Sequence, residues 1–259
     1  MHQLQRINEE IQMLKDVLLD VVKHTNGLGF IEAVKIEGTT SETTISAMDV
    51  DRTVMLYGQL HNAVSEFEGT FGAANLGFLN WLLNWEYLND DGSTLSVVRK
   101  ERNSVEQPEE LEFKGSAGSP WFYRFMSGAL VEEQLRTVRF KGADWNIEFQ
   151  PSQKSIQLFN NAAQGIVQFE PYFSLTTNGG DLSIGFGTGQ NSHRGDLIFA
   201  NNIQGELTNT FHWPIAQVMA ILKLASSGNC KISIANVGAL QITVDSGLGV
   251  YNYVLPAKS

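Results

Sequence analysis

The residues that could do chemistry in this chain are few and scattered. Cys230 is the only cysteine. Alone it closes no intrachain disulfide, and a thiol becomes a nucleophile only beside a base or a positive charge. It opens the strand-like phrase CKISIA and is read as a small buried apolar residue, consistent with a reducing cytoplasm. His24, His61, His193 and His212 lack the H-E-x-x-H spacing that offers two imidazoles to one metal. No metal site and no cofactor is expected. Asp49 and Asp51 stand two apart in AMDVD, where alternation would point both carboxylates one way, as an acid–base pair needs, but no histidine accompanies them. SIGFGTGQ, Ser183 to Gln190, alternates three glycines without the order of a phosphate-binding turn and reads as a loop. No Ser-His-Asp or Cys-His set can be argued from these residues.

Composition narrows the classes further. The 259 residues allow one large domain or two of about 130, and 42% hydrophobic content supplies a proper core. Charged residues reach only 18%, below the usual figure of about 25%, and surface hidden between subunits is one reason for such a deficit. The net charge of −10 argues against a protein that coats nucleic acid with its whole surface, while leaving room for a small basic lining on an acidic body. Glu9, Glu10, Lys15, Asp16 and Asp20 fall where a signal peptide needs an apolar stretch. No apolar run approaches the roughly 18 residues of a membrane span. A soluble cytoplasmic protein is expected.

These residues need elements to position them. Ile7, Ile11, Leu14, Leu18 and Val21 recur at steps of four and three, which predicts an amphipathic helix closed by Gly27 and Gly29. Strand-like runs follow at FIEAVKIEG, TTISAMDVD, RTVMLYGQL and SEFEGTF, then a helix over 76–88, then strands at TLSVVRKE, ELEFKG and PWFYRFM. The second half repeats this order. A helix is predicted over PSQKSIQLFNNAAQ, with Pro151 in its first turn. Strands follow at IVQFEPYFSL, DLSIGFG, DLIFANN and ELTNTF, then a helix opened by Pro214, then KISIA, ALQITVD and VYNYVL. TFGAANLGFLNWLLNW and TFHWPIAQVMAILKLA are near-copies at an offset of 140, which pairs Phe78, Leu79 and Leu82 with Val218, Met219 and Leu222. The fold class is therefore α+β: two similar domains, each with antiparallel sheets and two amphipathic helices on one face. Their expected bounds are 1–126 and 138–259, with a looser connector at 127–137.

At this level of detail the chain resembles a known family. TTISAMDVDRTVMLYGQL is similar to a stretch of the DNA sliding clamps, which include proliferating cell nuclear antigen, through Met48, Asp49, Arg52, Val54 and Leu56. ANLGFLNWLL resembles the family's helix through Asn75, Leu76, Leu79, Leu82 and Leu83, and YNYVLPAKS its C-terminus through Tyr253, Val254, Leu255, Pro256 and Lys258. VKIEGTTSETTIS and GNCKISIANVGALQITVDSGLGVYNYVL are similar to clamps of T-even-type bacteriophages. The likeness is dense over about 33–90 and 205–259 and elsewhere follows only the order of elements.

The resemblance implies a closed homotrimer that encircles duplex DNA without sequence preference, helices lining the hole and sheets forming the wall. Such a ring tethers the replicative DNA polymerase as a processivity factor and is opened by an ATP-driven clamp loader, while the clamp itself is not an enzyme. The T-even likeness adds late-transcription factors to the partners and an infected host cell as the setting. Arg6, Lys15, Lys23, Lys154 and Lys223 are the DNA-facing candidates, with Gln157, Asn161, Gln164 and Gln217 between them; solvated surface is the alternative for each. By family analogy Trp121, Phe122, Tyr123 and Phe125 would meet Leu197, Ile198 and Phe199 of another subunit. The alternative for the aromatics is that they fill their own domain's core. A partner-peptide pocket would be lined by Met48, Leu255 and Pro256, and by Leu130, Val131 and Leu135 from their location in the connector. The rival reading from another class is an oligomeric β-rich viral structural or assembly protein without DNA function.

Overall fold

The computed structural model describes residues 2–102, 104–135, 140–187, 193–226 and 228–258, with side chains from Ile11 onward except that of Arg102. The chain divides into two compact units. The first comprises Met1–Asp49, Tyr57–Thr137 and Gly247–Val250; the second comprises Val50–Leu56, Val138–Ser246 and Tyr251–Ser259.

The first unit begins with α1 (His2–Lys23), which buries Leu14, Val17, Leu18, Val21 and Val22 on one stripe, as the three-four periodicity requires. Strands β1 (Ala33–Gly38), β2 (Thr43–Met48), β3 (Met55–Leu60) and β4 (Gly69–Ala74) run in the order β4-β1-β2-β3. Alternation in β1 is matched by register. Ile36 lies between Ile45 of β2 and Phe71 of β4, and all three are buried. Helix α2 (Leu76–Asn84) packs on α1. Strands β5 (Thr94–Arg102), β6 (Val105–Lys114) and β7 (Pro120–Arg124) form an antiparallel sheet in sequence order. Helix α3 (Gly128–Gln134) lies on β4.

In the second unit β8 (Ile147–Phe149) precedes α4 (Gln153–Ile166). Strands β9 (Tyr172–Asn178), β10 (Asp181–Phe186), β11 (Gly195–Ala200) and β12 (Phe211–Pro214) form a sheet in the order β11-β10-β9-β12. Helix α5 (Ile215–Leu222) packs on α4. The strands β13 (Cys230–Ala235), β14 (Ala239–Asp245) and β15 (Gly249–Pro256) run with β8 in the order β15-β14-β13-β8. Phe159 of α4 is fully buried among Phe173, Phe186 and Phe199, with ring centroids 5.3, 6.0 and 6.2 Å away.

The α+β class with antiparallel sheets stands. Several local expectations change, and of the strand expected at ELTNTF only Phe211 enters one, β12. The repeat is one residue shorter than the sequence offset suggests: the buried set Leu76, Leu79, Leu82 and Leu83 of α2 corresponds to Ile215, Val218, Ile221 and Leu222 of α5. Phe78 is thereby released to the outer face of α2, 41% exposed. The connector contains α3, because Val131 has a core to enter. IVQFE is not a strand, since α4 continues to Ile166. Pro151 lies before the helix, and Ser152 is the N-cap, its Oγ accepting from the Ser155 N–H at 3.0 Å. β8, too short for a periodicity signal, is held by pairing Ile147 and Phe149 with Ile234 and Ile232.

Candidate functional site

The helix lysines divide into two kinds. Lys15 is half-buried on α1, and its Nζ donates to Asn89 Oδ1 of the loop after α2. Lys23 (last residue of α1), Lys154 (first turn of α4) and Lys223 (C-cap of α5) are exposed. Arg6 lies in α1, but its side chain is outside the described residues. Lys154, Gln157, Asn161 and Gln164 are all exposed, at helical spacing, opposite the buried Ile156, Phe159 and Ala163. Neither α4 nor α5 contains an acidic residue. Asp20 of α1 is withdrawn from the surface, 9% exposed and 3.8 Å from His24 Nε2. Desolvation by burial lowers His24 to about 4, against the opposing pull of Asp20 and with a smaller push from Lys23.

The peptide-pocket candidates fall in both units. Met48 ends β2 half-buried, Val131 and Leu135 of the α3 region pack over Gly72 of β4, and Leu130 is 42% exposed. A Cβ on Gly72 would stand 2.8 Å from Val131 Cγ2, so only glycine lets α3 settle there. Lys35 Nζ of β1 reaches Glu132 Oε1 of α3 at 3.2 Å. In the second unit Leu255 is buried and Pro256 exposed at the end of β15.

The sheet-edge candidates separate by alternation. β7 is the terminal strand of its sheet and β11 the terminal strand of its own. Trp121 and Phe122 are exposed, while Tyr123 and Phe125 are core residues: Tyr123 Oη donates to the Ala74 carbonyl, and Phe125 packs on Phe71 at 4.5 Å. On β11 Leu197 is half-buried, Ile198 is 53% exposed and Phe199 is buried against Phe149 and Phe159.

One cluster escaped the sequence reading. Phe78, Trp81 and Trp85 follow one another on the outer face of α2 and its C-cap, with Phe78 and Trp81 stacked at 5.8 Å and Trp81 and Trp85 at 4.8 Å. Trp121 of β7 meets Trp81 edge-on at 5.8 Å and Trp85 at 5.1 Å. The signal was there in the three-four spacing of aromatics on a helix without a charged residue. The helix register taken from the repeat hid it.

The shared orientation expected of Asp49 and Asp51 is not found: Asp49 is buried and Asp51 exposed. Cys230 is buried, and desolvation pushes its thiol up to about 12. Among the described residues no group of three or more His, Cys, Asp or Glu could hold a metal ion, and no helix is long and apolar enough to cross a membrane. Residues 188–190 of SIGFGTGQ lie outside the described residues.

This arrangement is the fold of the sliding clamps, matched over about 95% of the chain. Among solved structures the chain is similar to the PCNA of A. fulgidus bound to the C-terminal region of FEN-1, with a TM-score of 0.67, 11% identity and coverage of 95% of this chain and 96% of that one. PCNA from Thermococcus kodakaraensis gives 0.64, 11%, 96% and 97%. The PCNA2–PCNA3 complex of Sulfolobus tokodaii gives 0.65, 10%, 94% and 96%. No family model matches the chain, and no curated protein matches it.

Proposed function

We propose that this chain is a DNA sliding clamp: a non-enzymatic subunit of a homotrimeric ring that encircles duplex DNA and tethers the replicative polymerase. The observation that carries the reading is the placement of β7 and β11, the two strands singled out for ring closure, each as the terminal strand of its sheet in a clamp fold. Exposed strand edges invite pairing with another chain. Two different edges on one chain make a head-to-tail contact, which closes into a ring when the rotation allows. The PCNA2–PCNA3 complex is a case of clamp chains assembling.

Retention is topological, so the DNA contacts can be sparse. Lys23, Lys154 and Lys223, with the uncharged polar stripe on α4, suit contact to phosphates rather than base edges, which would pin the ring. The PCNA bound to a FEN-1 segment supports a peptide-binding role for Met48, Leu130, Val131, Leu135, Leu255 and Pro256. Loading by an ATP-driven loader, the T-even phage kinship with its late-transcription partners, and the cytoplasm of an infected cell all rest on the sequence phrases quoted above.

The test is retention. The protein, loaded by a clamp loader or assembled on DNA, should stay on closed circular duplex and be lost when one cut linearises it. Equal loss from both forms, together with a monomeric mass by light scattering at every concentration, would remove the clamp reading.

A further inference from the structure

We propose that the outer edge of β5 and the hollow at its start form a strand-addition site, which takes an extended segment of a partner protein bearing a lysine or arginine. The site lies in the first unit, on the opposite edge of its sheet from β7, and does not depend on the ring reading.

The chain's own repeat carries the first argument. Leu14, Val17 and Val21 of α1 take the places that Ile156, Phe159 and Ala163 hold on α4. Ahead of α4 the chain forms β8, which pairs antiparallel with β13, the strand that follows α5. Ahead of Leu14 it stays helical back to His2, and β5, the strand that follows α2, is paired by β6 alone among the described residues. The second unit thus shows what such an edge accepts: a short extended segment. Charged side chains protect edge strands from added ones. Residues 99–102 of β5 read RKER, whereas residues 94–98 read TLSVV and carry no charge. In strand addition the main chain supplies affinity and pockets for side chains supply specificity.

The pocket lies beside that uncharged half. It is a hollow of about 220 Å³ between α1, the loop after α2 and the start of β5. Leu83, Leu88, Leu95 and Phe113 on its lining are buried and form an apolar floor, and the rest of the lining is mainly polar. Asp90 and Asp91 are exposed carboxylates on its rim, while the ammonium of Lys15, the cation among its lining residues, is held by Asn89 Oδ1. Ser93 Oγ is buried there without a hydrogen-bond partner among the described residues. A lysine or arginine lays its aliphatic stem on apolar surface and keeps its charged head among polar groups. Such a side chain answers the floor, the two carboxylates and the Ser93 hydroxyl together. A purely apolar anchor answers only the floor, and an acidic one meets two like charges.

The test uses the full chain and a short labelled peptide, acetyl-Thr-Val-Arg-Val-Thr-amide. Two controls accompany it, one with glutamate in place of arginine and one with its amide nitrogens methylated. Fluorescence anisotropy reads binding, and amide exchange followed by NMR locates it. The arginine peptide should bind and slow exchange at the outward-facing amides of residues 94–98, those not paired with β6. The methylated peptide should do neither, because it cannot donate to the edge. The glutamate peptide, and the arginine peptide on the variant Asp90→Asn/Asp91→Asn, should need about tenfold or more higher concentration, the scale of one lost hydrogen bond to a charged group. The peptide series decides even if that variant fails to fold. Equal affinity for the arginine and glutamate peptides would overturn the site. So would protection on another strand edge with none at residues 94–98, or no binding of the arginine peptide up to millimolar concentration. Outward-facing amides of residues 94–98 that are already protected in the free chain, and unchanged by any peptide, would show that the chain covers this edge itself and would overturn it too.

Discussion

The indole Nε1 of Trp213 donates a hydrogen bond to the Leu255 carbonyl at 3.1 Å, with both residues fully buried. This bond ties the strand before α5 to β15, at the end of which Pro256 is exposed. Lys258 then continues the tie: its N–H donates to the His212 carbonyl at 2.8 Å, and its ammonium sits 4.2 Å from the Tyr172 ring.

Trp213→Phe removes the donor and half the ring system while keeping an aromatic in place. Loss of one buried hydrogen bond with its packing should cost about 1–3 kcal/mol. The expected outcome is a lower urea midpoint with an unchanged slope. An unchanged midpoint would show that the bond contributes nothing net.

The pair His24 and Asp20 sets a pH dependence. His24 is lowered to about 4 by burial, below its ordinary value of 6.5, so the unfolded chain binds the proton more readily than the folded one. Stability from this group is therefore complete above pH 6.5 and lost as pH falls toward 4, by on the order of 1 kcal/mol per pH unit. His24→Gln should flatten that part of the urea-midpoint profile. A variant profile as steep as wild type between pH 6.5 and 4 would assign the slope to other groups.

Gly72 has a comparable role for α3. An added Cβ would meet Val131 Cγ2 at 2.8 Å and Leu135 Cδ1 and Met126 Cβ at 3.2 Å. Since the β-branched Val131 has little rotamer freedom, Gly72→Ala should push α3 away from β4 at a cost of about 1–3 kcal/mol. Hydrogen exchange measured by mass spectrometry should then speed up in Gly128–Gln134. Unchanged protection there would mean that the site absorbs the methyl group.

How much of this was legible beforehand depended on what each feature rests on. The α1 core stripe and the strand alternation in β1, β2 and β10 follow from periodicity and spacing, which sequence displays directly, whereas the edge position of PWFYR was implied only by the family resemblance. α3 was hidden because its single buried residue, Val131, gives no period. β8 was hidden because its stability comes from its partner strand. Phe78 was mispaired for a different reason. The copied strand phrase fixes the strands at one offset, and the helices after them are shifted by one residue, a slip that moves Phe78 from the core to the surface. The paired burial of Asp20 and His24 is tertiary and has no local signature.

The lysines give the prediction closest to the proposed function, because the structure separates them. Lys23, Lys154 and Lys223 are exposed on helices, so each is free to neutralise a phosphate. Each substitution by alanine should weaken binding to short duplex DNA and lower the magnitude of the log K against log salt slope by about 0.9 per lost contact. It should do so equally for unrelated sequences, because phosphate contacts carry no base information. Lys15 should behave otherwise. Its ammonium is engaged by Asn89, whose own Nδ2 donates to the Leu83 and Trp85 carbonyls at 3.1 and 2.7 Å. Lys15→Ala should therefore lower thermal stability through the end of α2 and leave the salt slope nearly unchanged. If Lys15 lowers the slope as Lys154 does, the Lys15–Asn89 contact gives way to phosphate and α1 supplies more of the DNA lining. If none of the four changes the slope, the helices do not carry the DNA contact.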